Sequence, residues 1–175
     1  RRIDKWIYRR YLSRADMTGL RSQKRRLYRT DLTASATLDM QATPGATADI
    51  VAVIQFIQLL NGAAFTDIRI GGTINAIEAL HHNELLTAEE QNALRDSYLT
   101  LKHIQHRLQV ITDSSATVLP QNFKRLQHLA SSLGYTDDEQ NDRLVNDVRH
   151  AVTLSRKILN RLLDDSFVDQ EPDTP

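Results

Sequence analysis

His103 and His106 stand three residues apart in the stretch LKHIQHRLQ, a spacing that on a helix can present two imidazoles to one metal ion. Such an ion needs three or four protein ligands. The chain has no cysteine, and no carboxylate stands where it would complete the set. Gln105 and Gln109 are poor substitutes, so the two histidines read as surface or capped residues and no metal site is predicted. Asp164-Asp165 fails for another reason: adjacent residues on a helix do not face the same side. His81-His82 ends a predicted helix, where an imidazolium suits the C-terminal dipole. Gly71-Gly72 in RIGGTIN lacks the lysine and the preceding strand of a phosphate loop, and fits a close turn between helices. There is no dinucleotide fingerprint, no nucleophile elbow and no acid–base pair of carboxylates. No residue is predicted to be catalytic, and the chain holds no self-contained catalytic apparatus.

The stretch TPGATADIVAVIQFIQLLNG, residues 43–62, starts like a site loop and continues as an apolar helix. Pro44-Gly45 signals a turn, Thr47 is a good N-cap, and Asp49 falls in the first helical turn. Ile50, Val53, Ile54, Ile57 and Leu60 recur at helical spacing until Asn61-Gly62 stops them.

The elements that must position these residues are helical. The patterns predict helices over about 47–61 and 72–82. A third and longest one begins at the capping box Thr87-Ala-Glu-Glu90 and ends near Asp113-Ser114. A short helix over about 121–133 is closed by Gly134, and a last one covers about 137–163. No useful β-alternation occurs, and the fold class is all-α: an antiparallel bundle of about five to six helices with a basic N-terminal helical arm. The organisation reads as a basic arm over 1–30, a pattern-poor loop over 31–46, the bundle over 47–165, and a polar linker over 166–175.

A chain of 175 residues suits one domain with a real core. The lack of cysteine excludes disulfides and fits a reducing cytosol, so a cytoplasmic location is expected. No apolar run reaches a membrane span and no signal-peptide pattern is present, so no membrane partner is expected. A start at Arg1 without Met suggests an excised domain. Net charge is zero, yet residues 1–30 hold eleven Lys and Arg against two Asp. Such an arm could face phosphate or pack on an acidic neighbour.

Four segments in this order, PGATADIVAVIQFIQLL, IRIGGTINAIEAL, SYLTLKHIQHRLQ and VLPQNFKRLQHLASSLGY, resemble the helical domain that follows the nucleotidyltransferase core in the glutamate–ammonia-ligase adenylyltransferase family. These are the bifunctional enzymes that add AMP to glutamine synthetase and remove it. The related uridylyltransferases of the PII signal protein carry a similar domain. The resemblance covers about residues 7–165. The ending SRKILNRLLDDSF, followed by an acidic linker with proline, looks most like the first, adenylyl-removing half.

The family pattern at the opening loop is Gly-Gly-Ile-Arg-Asp-Ile-Glu-Phe. Gly45, Asp49 and Ile50 match it, whereas Ala46, Thr47, Ala48, Val51 and Ala52 depart. Arg69 and Thr73 match an Arg-x-x-x-Thr, and His106-Arg107 match within Leu-Arg-x-x-Glu-His-Arg-Leu-Gln, where Gln105 replaces the glutamate. Ala116-Thr117 stands for a Thr-His, and Leu119-Pro120 is kept. The resemblance implies that Gly45, Asp49, Arg69, Thr73, His106 and Arg107 face the nucleotide or the neighbouring domain. It implies that Asp49→Ala weakens domain docking more than folding.

It further implies a parent nucleotidyltransferase using Mg2+ and ATP or ADP, whose partners are its own catalytic core, glutamine synthetase and the PII signal protein. The Gly-Ser…Asp-x-Asp of such a core does not occur in this sequence. The fragment by itself is therefore expected to be inactive and to need no cofactor. The alternative is a stand-alone interaction or nucleic-acid module, with Trp6, Tyr8 and Tyr11 interleaved among Arg1, Arg2, Arg9, Arg10 and Arg14; nucleic acid is the less expected partner.

Overall fold

A computed structural model describes residues 37–168 and, ahead of them, Gly19, Ser22 and Arg25, which are helical. Apart from those three, the predicted basic arm lies outside the described residues, as do the loop's first six residues and the tail from 169 onward.

Five helices follow one another: α1 (Thr47–Asn61), α2 (Thr73–His82), α3 (Ala88–Thr112), α4 (Phe123–Ser132) and α5 (Gln140–Val168). The all-α class is as the patterns predict, and no named strand occurs among the described residues. The long helices α3 and α5 form the spine. Glu90 at the start of α3 meets Arg161 near the end of α5, so the two run antiparallel. Helices α1 and α2 pack at one end of this spine and α4 packs at the other.

Local chemistry explains the boundaries. Thr87 accepts from the Glu90 amide at 3.2 Å while Glu90 accepts from the Thr87 amide at 3.0 Å, the reciprocal bonds of a capping box. Helix α4 ends in paired bonds, Tyr135 N–H to the Ala130 carbonyl and Gly134 N–H to the Ser131 carbonyl, both 3.1 Å. Gly134 stands at φ +93° there, the left-handed position that such an ending requires. Helix α5 runs five residues beyond its expected end, into the stretch expected to be linker.

Two buried clusters fill the bundle. The first joins Ile50, Val53, Ile54 and Ile57 of α1 to Ile77 and Leu80 of α2, Leu94 of α3, and Leu159 and Leu163 of α5. The second joins Leu101, Ile104 and Leu108 of α3 to Leu129 of α4 and Leu144, Val148 and Val152 of α5. The stretch 31–46, expected to be a plain loop, contributes Leu38, Met40 and Ala46 to that second cluster. Asp39 pairs with Val118 in an isolated antiparallel bridge, flanked by Met40 N–H to Thr117 at 2.9 Å and Leu119 N–H to Leu38 at 2.8 Å. These bonds satisfy the backbone of two irregular segments inside the core, which would otherwise cost free energy.

Candidate functional site

Gly45 and Asp49 form one unit. The Gly45 N–H donates to Asp49 Oδ2 at 2.8 Å, and Asp49 is only 1% exposed. Gly45 sits at φ +92° directly against α5. A Cβ added there would lie 2.6 Å from the Val152 carbonyl oxygen and 2.7 Å from the Arg156 Cβ. No side chain but hydrogen fits there without a shift of the loop or of α5, and the left-handed φ disfavours one in any case.

Thr47, expected as the N-cap, is instead the first helical residue, and Ala46 takes the cap position without a side-chain bond. The reason is tertiary. The preceding loop folds over the end of α1, and its Met40 and Gln41 carbonyls accept from the Thr47 and Ala48 amides at 3.3 and 3.2 Å. With these donors satisfied, the Thr47 hydroxyl is free to donate to the Met40 carbonyl at 3.1 Å. Asp39 organises the same loop, its Oδ1 accepting from the Gln41 and Ala42 amides at 2.8 and 2.9 Å.

The other predicted residues lie elsewhere. Arg69 donates from Nε to the Gly62 carbonyl at 2.6 Å, and Thr73 opens α2. Both belong to the far end of α1, about 20 Å from Asp49 at 1.5 Å per helical residue. Beside Arg69, the Gln58 amide donates to the Ile68 and Ile70 carbonyls at 2.6 and 2.9 Å and fastens the loop between α1 and α2. Nothing in the sequence pattern marked Gln58. His106 and Arg107 are exposed on α3, while Gln105 between them and the core is 6% exposed. The six residues therefore occupy three places on the bundle.

Three of the positions where the chain departs from the family pattern share a location. Ala48, Val51 and Ala52 are half-buried on α1, with exposed Gln55 a turn further on. They lie between the buried positions Asp49, Ile50, Val53 and Ile54, on the side of α1 away from the core.

A separate groove of about 430 Å3 runs between α3 and α5. Asp96, Ser97, Thr100 and His103 line it from α3, Asp147 and His150 from α5, and Tyr135 from the turn before α5. The Tyr135 hydroxyl donates to Asp147 Oδ2. Burial, with that bond and the Asp147 charge, pushes the phenol up to about 12. His103 lines this groove and His106 does not, so the i, i+3 pair is split. The stripes 96/97/100/103 and 147/150 are visible at helical spacing in the sequence; that they face each other is not. His81, at the end of α2, sits with Nδ1 2.9 Å from the Leu86 carbonyl, a bond that fixes its tautomer.

Among the described residues no group of three or more His, Asp or Glu could hold a metal ion. The described residues thus offer no such donor set for the Mg2+ that the resemblance implies for the parent enzyme. No helix of the described residues is long and apolar enough to cross a membrane.

A family model described as GlnD PII-uridylyltransferase matches residues 18–163. The bifunctional glutamine synthetase adenylyltransferase/adenylyl-removing enzyme of Stenotrophomonas maltophilia strain K279a is 30% identical over 132 residues, covering 75% of this chain and 14% of that protein. The protein of the same description from Chromobacterium violaceum is 30% identical over 152 residues, 85% of this chain and 17% of the relative. In Agrobacterium fabrum the identity is 26% over 140 residues, 78% of this chain and 14% of the relative. The chain thus spans about one seventh of the length of these relatives. With a match that runs through all of α1 to α4 and most of α5, the chain belongs to the GlnD PII-uridylyltransferase family, the nucleotidyltransferase relatives that include the glutamine synthetase adenylyltransferases.

Proposed function

We propose that this chain is the helical accessory domain of a nucleotidyltransferase that adenylylates and deadenylylates glutamine synthetase, from the adenylyl-removing half. The observation that carries the reading is the match over residues 18–163 to a nucleotidyltransferase family, in a chain without that family's Gly-Ser…Asp-x-Asp core. Its work is then to form a wall against a catalytic core supplied by the rest of the polypeptide, which holds the Mg2+ and ATP or ADP. The uncharged, half-buried stripe Ala48, Val51 and Ala52 is the face best suited to that contact. It lies on α1, away from the bundle's own core, at positions where the family pattern carries Arg, Glu and Phe. Buried Asp49 with Gly45 sets the angle at which that face is offered. On this reading Asp49→Ala loosens the bundle itself, rather than docking alone. Glutamine synthetase and the PII signal protein are partners of the whole enzyme.

The test is the reading frame upstream of Arg1 over about two hundred residues, a usual domain length. The expected finding is a Gly-Ser followed by Asp-x-Asp on a sheet. Joined to it, the chain should support phosphorolysis of adenylylated glutamine synthetase, while the 175 residues by themselves support none. An upstream frame without that core, or activity in the isolated chain, would overturn the reading.

A further inference from the structure

The groove between α3 and α5 plays no part in the proposed contact on α1, and its chemistry is distinct. Its floor is apolar: Ala93, Ile104, Ala151 and Leu154. Its polar groups include two carboxylates, Asp96 and Asp147, and the hydroxyls of Ser97 and Thr100, beside Tyr135, His103 and His150. Ser97 is 4% exposed, and its hydroxyl makes no hydrogen bond among the described residues. A hydroxyl on the groove wall with no protein partner can donate to, and accept from, a molecule that enters it.

The two carboxylates stand at opposite ends. The Glu90–Arg161 pair fixes the antiparallel register of α3 and α5. Counting inward from that pair, Asp96 lies level with Ser155, and Asp147 lies level with Ile104. The two acids are therefore separated along the groove by about 10–12 Å, at 1.5 Å per helical residue. Tyr135 occupies only Oδ2 of Asp147, which leaves Oδ1 to accept another donor. Arg143, whose charge also reaches Asp147, is paired with Asp137.

We propose that this groove binds a linear aliphatic polyamine. Its terminal ammonium groups would meet Asp96 and Asp147, its methylenes would lie on the apolar floor, and an inner amine would donate to the Ser97 or Thr100 hydroxyl. The length follows from the spacing: an extended chain covers about 3.5 Å in three bonds, so about nine bonds separate the terminal nitrogens. His103 and His150 also line the groove, and their ring nitrogens can take part in hydrogen bonds with what enters it.

The experiment is a calorimetric titration of the full 175-residue chain with spermidine, octanediamine, butanediamine and octylamine. Spermidine and octanediamine, which place two charges at the required span, should bind about five-fold or more tightly than the short diamine or the monoamine. Asp96→Asn and Asp147→Asn, both at exposed positions, should each weaken spermidine binding about five-fold while leaving the thermal midpoint in place. Affinity that is independent of diamine length, or unchanged in both variants, would overturn the proposal. So would preferential capture of a lysine-rich peptide in this groove with no binding of free polyamine. A Ser97→Ala chain that binds spermidine less well than octanediamine would support the role of the inner amine, and equal binding of spermidine by Ser97→Ala and the parent chain would count against it.

Discussion

The two ends of the bundle close their cores by different means. At the end formed by α1, α2 and the start of α3, helices bury apolar stripes against one another, and the connecting loop is fastened by Gln58 and Arg69. At the end formed by α4, the last half of α3 and the first half of α5, the core is finished by irregular backbone: Leu38 and Met40 on one segment, Leu119 on another, joined by a single bridge. Amphipathic helices can close the first end because four of them meet there. The second has α4 as its one short helix, only 10 residues long, so chain without secondary structure must fill the remaining space. Irregular backbone can enter a core only where its amides are paired, and the Met40–Thr117 and Leu119–Leu38 bonds supply that pairing.

Met40→Ala is the strongest way to break this comparison. Met40 is fully buried, and its truncation should cost about 2–5 kcal/mol, as much as Ile77→Ala at the helical end. Denaturant unfolding of both variants checks it. A cost near zero for Met40→Ala would make the 38–46 segment a surface strap rather than core.

Gly45→Ala tests the joint between the irregular segment and α5. The left-handed φ and the 2.6 Å approach to the Val152 carbonyl act together, and a loss of about 2–3 kcal/mol is expected. A thermal melt reads it directly. An unchanged midpoint would show that the loop and α5 can part without disturbing the bundle.

Glu90 gives the smallest effect and belongs to the helical end. Burial pushes its carboxyl up, but the Thr87 amide and the Arg161 guanidinium outweigh that and hold it below its ordinary value of 4.5. A carboxyl lowered by folding stabilises the folded state above that value, and the contribution fades as pH falls through the folded pKa. Glu90→Gln should therefore cost about 0.5–1 kcal/mol at pH 7 and less at pH 3. Urea unfolding at the two pH values measures the difference. Equal losses at both would assign the effect to the cap geometry rather than to charge.

How much was legible in the sequence follows the same division. Helix α1 falls on its predicted bounds because its stripe of Ile and Val and its Asn61-Gly62 stop are local signals. The capping box at Thr87 and the glycine after α4 are local for the same reason. Leu38 and Met40 gave no such signal: two apolar residues in an irregular segment have no period to reveal a buried face. Thr47 failed as a cap for a related reason, since its competitors, the Met40 and Gln41 carbonyls, arrive only when the loop folds back.

The candidate site divides in the same way. The resemblance singled out Gly45, Asp49, Arg69, Thr73, His106 and Arg107 residue by residue. Their separation into three places, and the burial of Asp49, depend on how α1 lies against α5. The groove between α3 and α5 was invisible for a further reason: each helix shows its own polar stripe, but the facing of two stripes is set by the register between helices.

By itself, the sequence determined the class of fold, the ends of the first four helices and the family, because periodicity, capping and ordered motifs are carried by neighbouring residues. Only the tertiary structure decided which irregular residues enter the core, that Gly45 must be glycine against Val152, and that Asp96 and Asp147 share one groove. Those facts rest on contacts between segments far apart in the chain, which no local pattern encodes.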